Sequence, residues 1–266
     1  MASSIVATLR RSIAGLEPYG AENGGSAPVF RLGHPAADAA LGAMPGGLLH
    51  EVFAATAADQ GPATGFAVCL SARAIARGAP IVWIRQDFVA REGGELHAHG
   101  LAALGVDPGR ILLVHGADAR DVLRAAGDAL ATRGIGAVVV EPWGEPKLLD
   151  LTTSRRLALL ARENGVTGIL LRAAATPDAS AAAIRWEVAA APSTALQRVP
   201  GVESHGPARP AFRVALLRHR RGITGAWNME WDGHDRAFCE PLSLPLAPAA
   251  AHRPPAAWQP PHRAAG

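Results

Sequence analysis

Apolar residues recur through the middle of the chain in two alternating patterns. Short continuous apolar runs predict buried strands, and longer runs with apolar residues at every third or fourth position predict helices. The predicted strands are residues 48–54, 81–85, 111–114, 137–140 and 167–171, and the predicted helices are residues 63–77, 92–104, 118–133 and 151–162. Wholly apolar strands separated by helices are typical of a parallel sheet covered on both faces. The expected fold class is therefore α/β, with a mostly parallel central sheet flanked by helices.

The pattern changes after residue 183. Residues 183–189, 211–218 and 226–231 are strand-like, and no helical pattern separates them. Strands that follow each other without crossover helices are typical of antiparallel pairing. We therefore expect antiparallel strands to extend the sheet near the C-terminus.

The first 17 residues carry a separate apolar stripe at helical spacing, which predicts an amphipathic helix over residues 1–17. Its members are Ile5, Leu9, Ile13 and Leu16. A short helix on a tether cannot bury such a stripe alone. The helix is expected to dock either on its own domain or on another subunit, and we call it the candidate interaction helix.

Composition divides the rest of the chain. Residues 18–28 are rich in Gly and predict a linker, residues 29–235 predict the main domain, and residues 198–210 predict a mobile loop within it. Residues 236–266 are rich in Pro and Ala and predict a disordered tail.

The bulk composition limits the class of protein only mildly. The chain has 266 residues, 49% hydrophobic and 18% charged, and a formal net charge of +3, which permits nucleic-acid contact without requiring it. No apolar run reaches the roughly 18 residues that a membrane span requires. The two cysteines, Cys69 and Cys239, have no metal-ligand spacing. A reducing cytoplasm, with no metal and no cofactor, is the expectation.

A glycine-framed segment follows the first predicted strand, where α/β folds commonly bind phosphate. A working loop reads G-x-x-x-x-G-K-[ST], in which the Lys meets the terminal phosphates and the hydroxyl binds magnesium. Here the segment contains Gly61, Pro62, Thr64, Gly65, Phe66 and Ala67. Phe66 stands in the Lys position, Ala67 in the hydroxyl position, and the glycines are one residue too close together. The segment is interpreted as a plain connection or as a degenerate phosphate loop, and an active ATPase is the least favoured alternative.

Three stretches, residues 81–87, 101–114 and 137–141, resemble the core of RecA. Further segments resemble the ImuA family, namely residues 141–160, 185–193, 217–222 and 227–231. The resemblance implies a RecA-like fold and a non-catalytic accessory role in SOS-induced mutagenesis and translesion DNA synthesis. It implies three protein partners: an inactive Y-family polymerase relative of ImuB type, an error-prone replicative-type DNA polymerase, and RecA. Single-stranded DNA is a further candidate partner.

The resemblance also indicates two acids. Asp87 and Glu141 end strands where RecA-like ATPases place the acid that activates water and the magnesium-side carboxylate. We interpret them as vestigial, because acids beside a loop without Lys would repel a nucleotide. The alternative is that both are strand-end acids that face solvent or cap turns.

Five arginines near the C-terminal strands are the best candidates for contact with DNA or with an acidic partner, because guanidinium groups pair phosphates and carboxylates bidentately. They are Arg209, Arg213, Arg218, Arg220 and Arg221. A solvated strand face with local ion pairs is the alternative. Among the tryptophans, Trp186 is expected in the core, and Trp143 is expected to pack in a loop or against a partner.

Three functions therefore compete. The first is a protein that acts only through protein contacts, and the second is a DNA-dependent ATPase with an unusual loop. The third is a modulator that caps or disrupts RecA filaments by mimicking a protomer.

Overall fold

The computed structural model describes residues 29–193 and 209–241. Four predicted segments lie wholly or mostly outside the described residues: the candidate interaction helix over residues 1–17, the linker over residues 18–28, the loop over residues 198–210 and the tail over residues 236–266. Within the described ranges, no helix is long and apolar enough to cross a membrane.

Strands and helices alternate along most of the described chain. The first half contains β1 (Val29–Phe30), α1 (Pro35–Leu41), β2 (Met44–Pro45), β3 (Leu49–Ala54), α2 (Gln60–Ala74), β4 (Ile81–Gln86), α3 (Asp87–Gly93), α4 (Ala98–Ala103), β5 (Ile111–Gly116) and α5 (Ala119–Leu130). The second half contains β6 (Ala137–Glu141), α6 (Leu151–Asn164), β7 (Thr167–Arg172), β8 (Ile184–Ala190), β9 (Ala211–His219), β10 (Gly225–Asp232) and β11 (Ala237–Cys239).

One large sheet organises the described chain, with the strand order β11-β10-β9-β8-β3-β7-β6-β4-β5. The pairings from β8 to β5 are parallel, and those from β8 to β11 are antiparallel. The predicted fold class, including antiparallel strands near the C-terminus, is confirmed. The direction changes at β8, because Ile184 pairs in parallel register with His50 of β3 and in antiparallel register with His219 of β9.

Local chemistry explains the helix ends. The Asp150 carboxylate accepts a hydrogen bond from the Thr153 amide at 2.7 Å and caps the start of α6, as its position in the sequence predicts. Within the single helix predicted over residues 92–104, the structure has only the last two residues of α3, which begins at Asp87, and the separate helix α4. Gly94, with a φ of +78°, ends α3, and such a backbone conformation favours glycine.

The two faces of the sheet carry separate cores. The side chains of α2 pack on one face together with large aromatic residues, which include Trp83, Trp186 and Trp231. Helices α5 and α6 cover the other face. The burial of Trp186 confirms its expected place in the core.

The edge strand β11 lies inside the range 236–266 that was predicted to be tail. Phe238 is fully buried, and its ring centroid is 4.8 Å from that of Trp231. The packing of Phe238 against Trp231 holds the three residues of β11 on the sheet, although the average composition of residues 236–266 predicts disorder. The domain therefore includes β11, and the boundary predicted at residue 235 is too early.

Candidate functional site

The connection between β3 and α2 is the place where a RecA-like ATPase would hold its phosphates. It lies at the carboxyl ends of the parallel strands, the edge where open α/β sheets bind ligands. β3 ends at Ala54, a single 3₁₀ turn follows over Ala57–Asp59, and α2 begins at Gln60. The connection is therefore short and lies wholly before Gly61.

The segment predicted as a degenerate phosphate loop is not a loop. Its residues, Gly61, Pro62, Thr64, Gly65, Phe66 and Ala67, all lie inside α2. A proline in the first turn of a helix is tolerated because its missing amide hydrogen has no partner there. Thr64 donates its hydroxyl hydrogen to the Gln60 carbonyl one turn earlier. The glycine spacing therefore indicated a loop where the chain makes the first turns of a helix.

Phe66 is a core residue and not a substitute for a phosphate-binding lysine. Its side chain is fully buried, and its ring centroid lies 5.3–6.0 Å from those of Trp186, Phe212 and Phe238. A cation at this position would be enclosed by aromatic rings on the inner side of α2. The role assigned to Phe66 from the sequence is therefore corrected.

The true connection carries a carboxylate. Asp59 accepts hydrogen bonds from the Thr56 hydroxyl at 2.6 Å and from the Ala190 amide at 2.9 Å. The Thr56 hydrogen bond is the first cause that lowers the pKa of Asp59, and Arg213 contributes to the same effect. Residues 54–65 contain no Lys or Arg. A phosphate group placed here would meet the Asp59 carboxylate, and the cation that acts on Asp59 is Arg213 of β9, outside the connection.

Glu141, at the end of β6, is enclosed in a buried polar network. Its carboxylate accepts a hydrogen bond from the Trp83 indole at 2.9 Å and lies 3.0 Å from the Arg85 guanidinium. Burial raises the pKa of Glu141, and Arg85 opposes that effect. The alternative interpretation of Glu141 as a solvent-facing or turn-capping acid is wrong, because Trp83 and Arg85 cover it.

Asp87 has a different environment. It is the first residue of α3, its side chain is partly exposed, and its carboxylate lies 3.5 Å from Nδ1 of His115 on the outer strand β5. The structure therefore does not place Asp87 and Glu141 in one cluster: the first faces solvent, and the second is paired inside the protein.

A second buried network links three strands and was missed by sequence reasoning. Glu51 of β3 lies 2.6 Å from Arg172 of β7 and 2.8 Å from Arg185 of β8, and all three side chains are buried. Both guanidinium groups also lie over the ring of Phe53, at 5.6 and 5.2 Å. The only signal in the sequence was the presence of charged residues within otherwise apolar strands. We call Glu51, Arg172 and Arg185 the strand-linking triad.

Two members of the triad, Glu51 and Arg172, line a cleft of about 220 Å³. Its rim carries charges of both signs, from Glu145, Lys147, Asp150 and Asp178. Two carboxylates of the rim are already engaged, since Glu145 accepts from Thr176 and Asp150 caps α6. The charged groups around this cleft therefore pair with each other, as in a structural network, and do not present one dominant charge to a ligand.

The five candidate arginines do not form one patch. Arg209 lies 2.6 Å from Asp232 before β9 begins, while Arg220 and Arg221 follow the far end of that strand. A nine-residue strand separates these positions by about 30 Å. Arg218 donates to the Ser180 carbonyl, and Arg213 lies near the exposed connection at Asp59. Contact with DNA or an acidic partner through all five residues at once would need a long binding surface.

An aromatic pair lies at the carboxyl ends of β4 and β6. The ring centroids of Phe88 and Trp143 are 5.0 Å apart in an edge-to-face arrangement, and Phe88 is 40% exposed. The Trp143 amide donates to the Gln86 side chain at 3.1 Å. Trp143 therefore packs in a loop, which is one of the two alternatives expected for it, and Phe88 is its previously unidentified partner.

Within the ranges 29–193 and 209–241, no group of three or more His, Cys, Asp or Glu side chains could hold a metal ion. Cys69 is a free, fully buried thiol, and burial raises its pKa.

Comparison with known proteins identifies the fold. The chain is similar to the crystal structure of the RadB recombinase with a TM-score of 0.50 and 15% identity, over 79% of this chain and 99% of that chain. In all, 412 solved chains match it, so the fold is shared too widely to single out one activity. No protein-family model matches the sequence, and no curated protein matches it. At this identity the likeness shows the fold alone, which is RecA-like.

Proposed function

We propose that this chain is a non-catalytic RecA-like accessory protein of the ImuA type. Its role is in SOS-induced mutagenesis and translesion DNA synthesis, where it joins other proteins and does not hydrolyse ATP. The partners are an ImuB-type polymerase relative, an error-prone replicative-type polymerase and RecA. The observation that carries the non-catalytic part is the β3–α2 connection, which has Asp59 and no cation.

Phosphoryl transfer depends on charge neutralisation around the terminal phosphates. Loss of a single stabilising donor lowers the rate of other enzymes by about 10²–10³-fold. In this chain the lysine is missing from the connection, and a carboxylate lies at the start of α2. Both changes act in the same direction, so turnover is expected to be negligible.

The partner assignment is supported by the ImuA-like segments of the sequence. One of them, residues 141–160, begins at the buried Glu141 and continues through Trp143, which packs on the exposed Phe88. Aromatic side chains at a surface are frequent anchors of protein interfaces. The Phe88–Trp143 pair is therefore our candidate contact for one of the three partners.

The proposal is tested with purified proteins. The full chain is immobilised and offered the ImuB-type protein, the error-prone polymerase and RecA separately, at fixed salt. We expect saturable capture of at least one of them, with weaker capture by the Phe88→Ala variant. The matched control is Leu113→Ala, which removes another exposed apolar side chain, on β5. This variant should leave capture unchanged. Failure to capture any of the three would contradict the proposed role.

A parallel assay addresses catalysis. Phosphate release from ATP with magnesium is measured with and without single-stranded DNA, and the expected rate equals the blank without protein. DNA-stimulated release that disappears in Asp87→Asn would instead support the DNA-dependent ATPase. Deletion of residues 1–17 tests the third function, the RecA-filament modulator. That function predicts that the shortened protein stays folded and no longer captures RecA.

A further inference from the structure

A groove separates α5 and α6 on the face of the sheet opposite α2. It has a volume of about 260 Å³, and residues from both helices and from the segment before α6 line it. Leu123, Leu148 and Leu157 supply apolar surface to this groove. Its walls therefore offer a place for apolar side chains of another molecule.

Gly127 lies in the middle of α5 and lines the same groove. A glycine inside a helix destabilises it by about 1 kcal/mol relative to alanine. A Cβ at this position would meet only the Leu160 side chain, at 4.0 Å, so the packing of this chain does not require glycine there. The missing side chain instead leaves the groove open between the two helices.

The rim of the groove is cationic. Arg120, Arg124 and Arg156 line it together with one carboxylate, that of Asp128. Arg124 pairs with Asp121 at 2.7 Å, whereas Arg120 and Arg156 form no ion pair with any residue in the described part of the chain. Two guanidinium groups are therefore available to an incoming anionic group.

Three leucines on or just before α6 are exposed, and one of them, Leu148, lines the groove. Leu148, Leu151 and Leu159 are 46%, 53% and 49% exposed, and all three lie on α6 or just before it. Leu151 and Leu159 do not line the groove, since the 3.6-residue helical repeat turns them away from the groove residue Leu157. Within the groove, apolar surface bordered by charge is typical of a protein interface.

From these observations we infer that the α5–α6 groove binds an acidic amphipathic helix of a partner protein. Its apolar side chains enter the groove at Gly127 and cover Leu123 and Leu148, and its carboxylates pair with Arg120 and Arg156. Nucleic acid fits less well, because the exposed Leu148 and the carboxylates of Asp121 and Asp128 do not favour phosphates. The inference deepens the proposed function, on which it rests, by naming the chemistry of one partner surface.

The probe is a fluorescein-labelled helical peptide of about four turns. It carries leucine at every third or fourth position and glutamate at the flanking positions. A second peptide has lysine in place of each glutamate, and a labelled single-stranded oligonucleotide is the third probe. Binding to the full chain is followed by fluorescence anisotropy at fixed salt.

Two independent changes test the site. Gly127→Leu fills the groove, and the double variant Arg120→Glu, Arg156→Glu reverses the rim charge without touching the core. Arg133→Glu is the matched charge control, because Arg133 is exposed and lies outside the groove. Far-UV circular dichroism and the unfolding midpoint show that each variant is folded.

We expect the acidic peptide to bind and the lysine peptide to bind at least about tenfold more weakly. Gly127→Leu and the double variant should each lower the affinity for the acidic peptide by at least about tenfold. Arg133→Glu should leave that affinity unchanged. Absent binding of the acidic peptide, or equal binding by all variants, overturns the inference. Oligonucleotide binding that the double variant abolishes also overturns it, in favour of nucleic acid. These outcomes do not depend on the capture and phosphate-release assays, so each proposal can fail separately.

Discussion

Arg85 and Glu141 form an ion pair whose Nε and carboxylate oxygen are 3.0 Å apart, with 3% and 1% of their side chains exposed. The pair joins neighbouring strands β4 and β6 in direct register. The Trp83 indole donates a further hydrogen bond to the Glu141 carboxylate. Glu141, which the RecA resemblance compares with a magnesium-side carboxylate, is thus paired with a cation inside the protein.

This pair predicts an asymmetric response to substitution. Arg85→Met leaves a buried carboxylate without its cation, which typically costs about 3–5 kcal/mol of folding free energy. The double variant Arg85→Met, Glu141→Leu removes both charges and should recover part of that loss. Urea unfolding monitored by circular dichroism measures both. A loss below about 1 kcal/mol in Arg85→Met would mean that the pair is not formed in solution.

The strand-linking triad predicts a comparable loss of stability when its central carboxylate is removed. Glu51→Gln removes the one carboxylate between Arg172 and Arg185, so two buried guanidinium groups face each other without a counter-charge. We expect a loss of at least about 3 kcal/mol. Glu187→Gln on β8 is the matched control, since its side chain is only half-buried and should change stability by less than about 1 kcal/mol. Equal effects of the two changes would argue against the triad.

Phe66→Lys tests the corrected role of Phe66. The substitution introduces the residue that a phosphate loop would have, but it does so in the aromatic core, where an unpaired ammonium group is strongly unfavourable. We expect severe destabilisation or failure to fold, and no ATPase activity. Gly61→Lys adds the same cation at an exposed position on the same helix and should be tolerated. A folded Phe66→Lys protein with normal thermal stability would show that Phe66 is not in the core.

Acid stability depends on His50. Burial, with a contribution from His219, lowers the pKa of His50 to about 4 in the folded protein. In the unfolded chain the pKa is about 6.5, so between these values only the unfolded state binds the proton. Stability from neutral His50 is complete above pH 6.5 and is lost as the pH falls towards 4, by about 3 kcal/mol in total.

His50→Asn isolates this effect. The Nδ1 atom of His50 accepts a hydrogen bond from the Trp186 indole at 3.3 Å, and an asparagine carbonyl oxygen can take the same bond without titrating. Unfolding free energies measured from pH 7 to pH 4 should fall more steeply for the native protein than for the variant. Parallel curves would refute the role of His50.

Sequence pattern was sufficient for the fold because wholly apolar strands and capped helices are local signals. The run Ala137–Glu141 and the cap at Asp150 could be assigned without long-range information. The strand β11 could not, because its order depends on the single residue Phe238 and the aromatic residues around it. Average composition does not record such a contact.

The site was harder to predict than the fold. Gly61 and Gly65 suggested a loop, but glycine spacing does not distinguish a phosphate cradle from a helix start with proline in its first turn. Asp59, whose carboxylate occupies the connection, bonds to the Ala190 amide 131 residues later. The triad at Glu51 likewise requires the pairing of three strands, which the sequence does not specify residue by residue.

The most direct measurement of the central claim is amide hydrogen exchange across residues 54–65 in the presence of ATP and magnesium, with binding followed by calorimetry on the same sample. We predict unchanged exchange and no saturable heat, because Asp59 stands at the start of α2 without a cation on the connection. Protection of these amides together with saturable nucleotide binding would contradict the account.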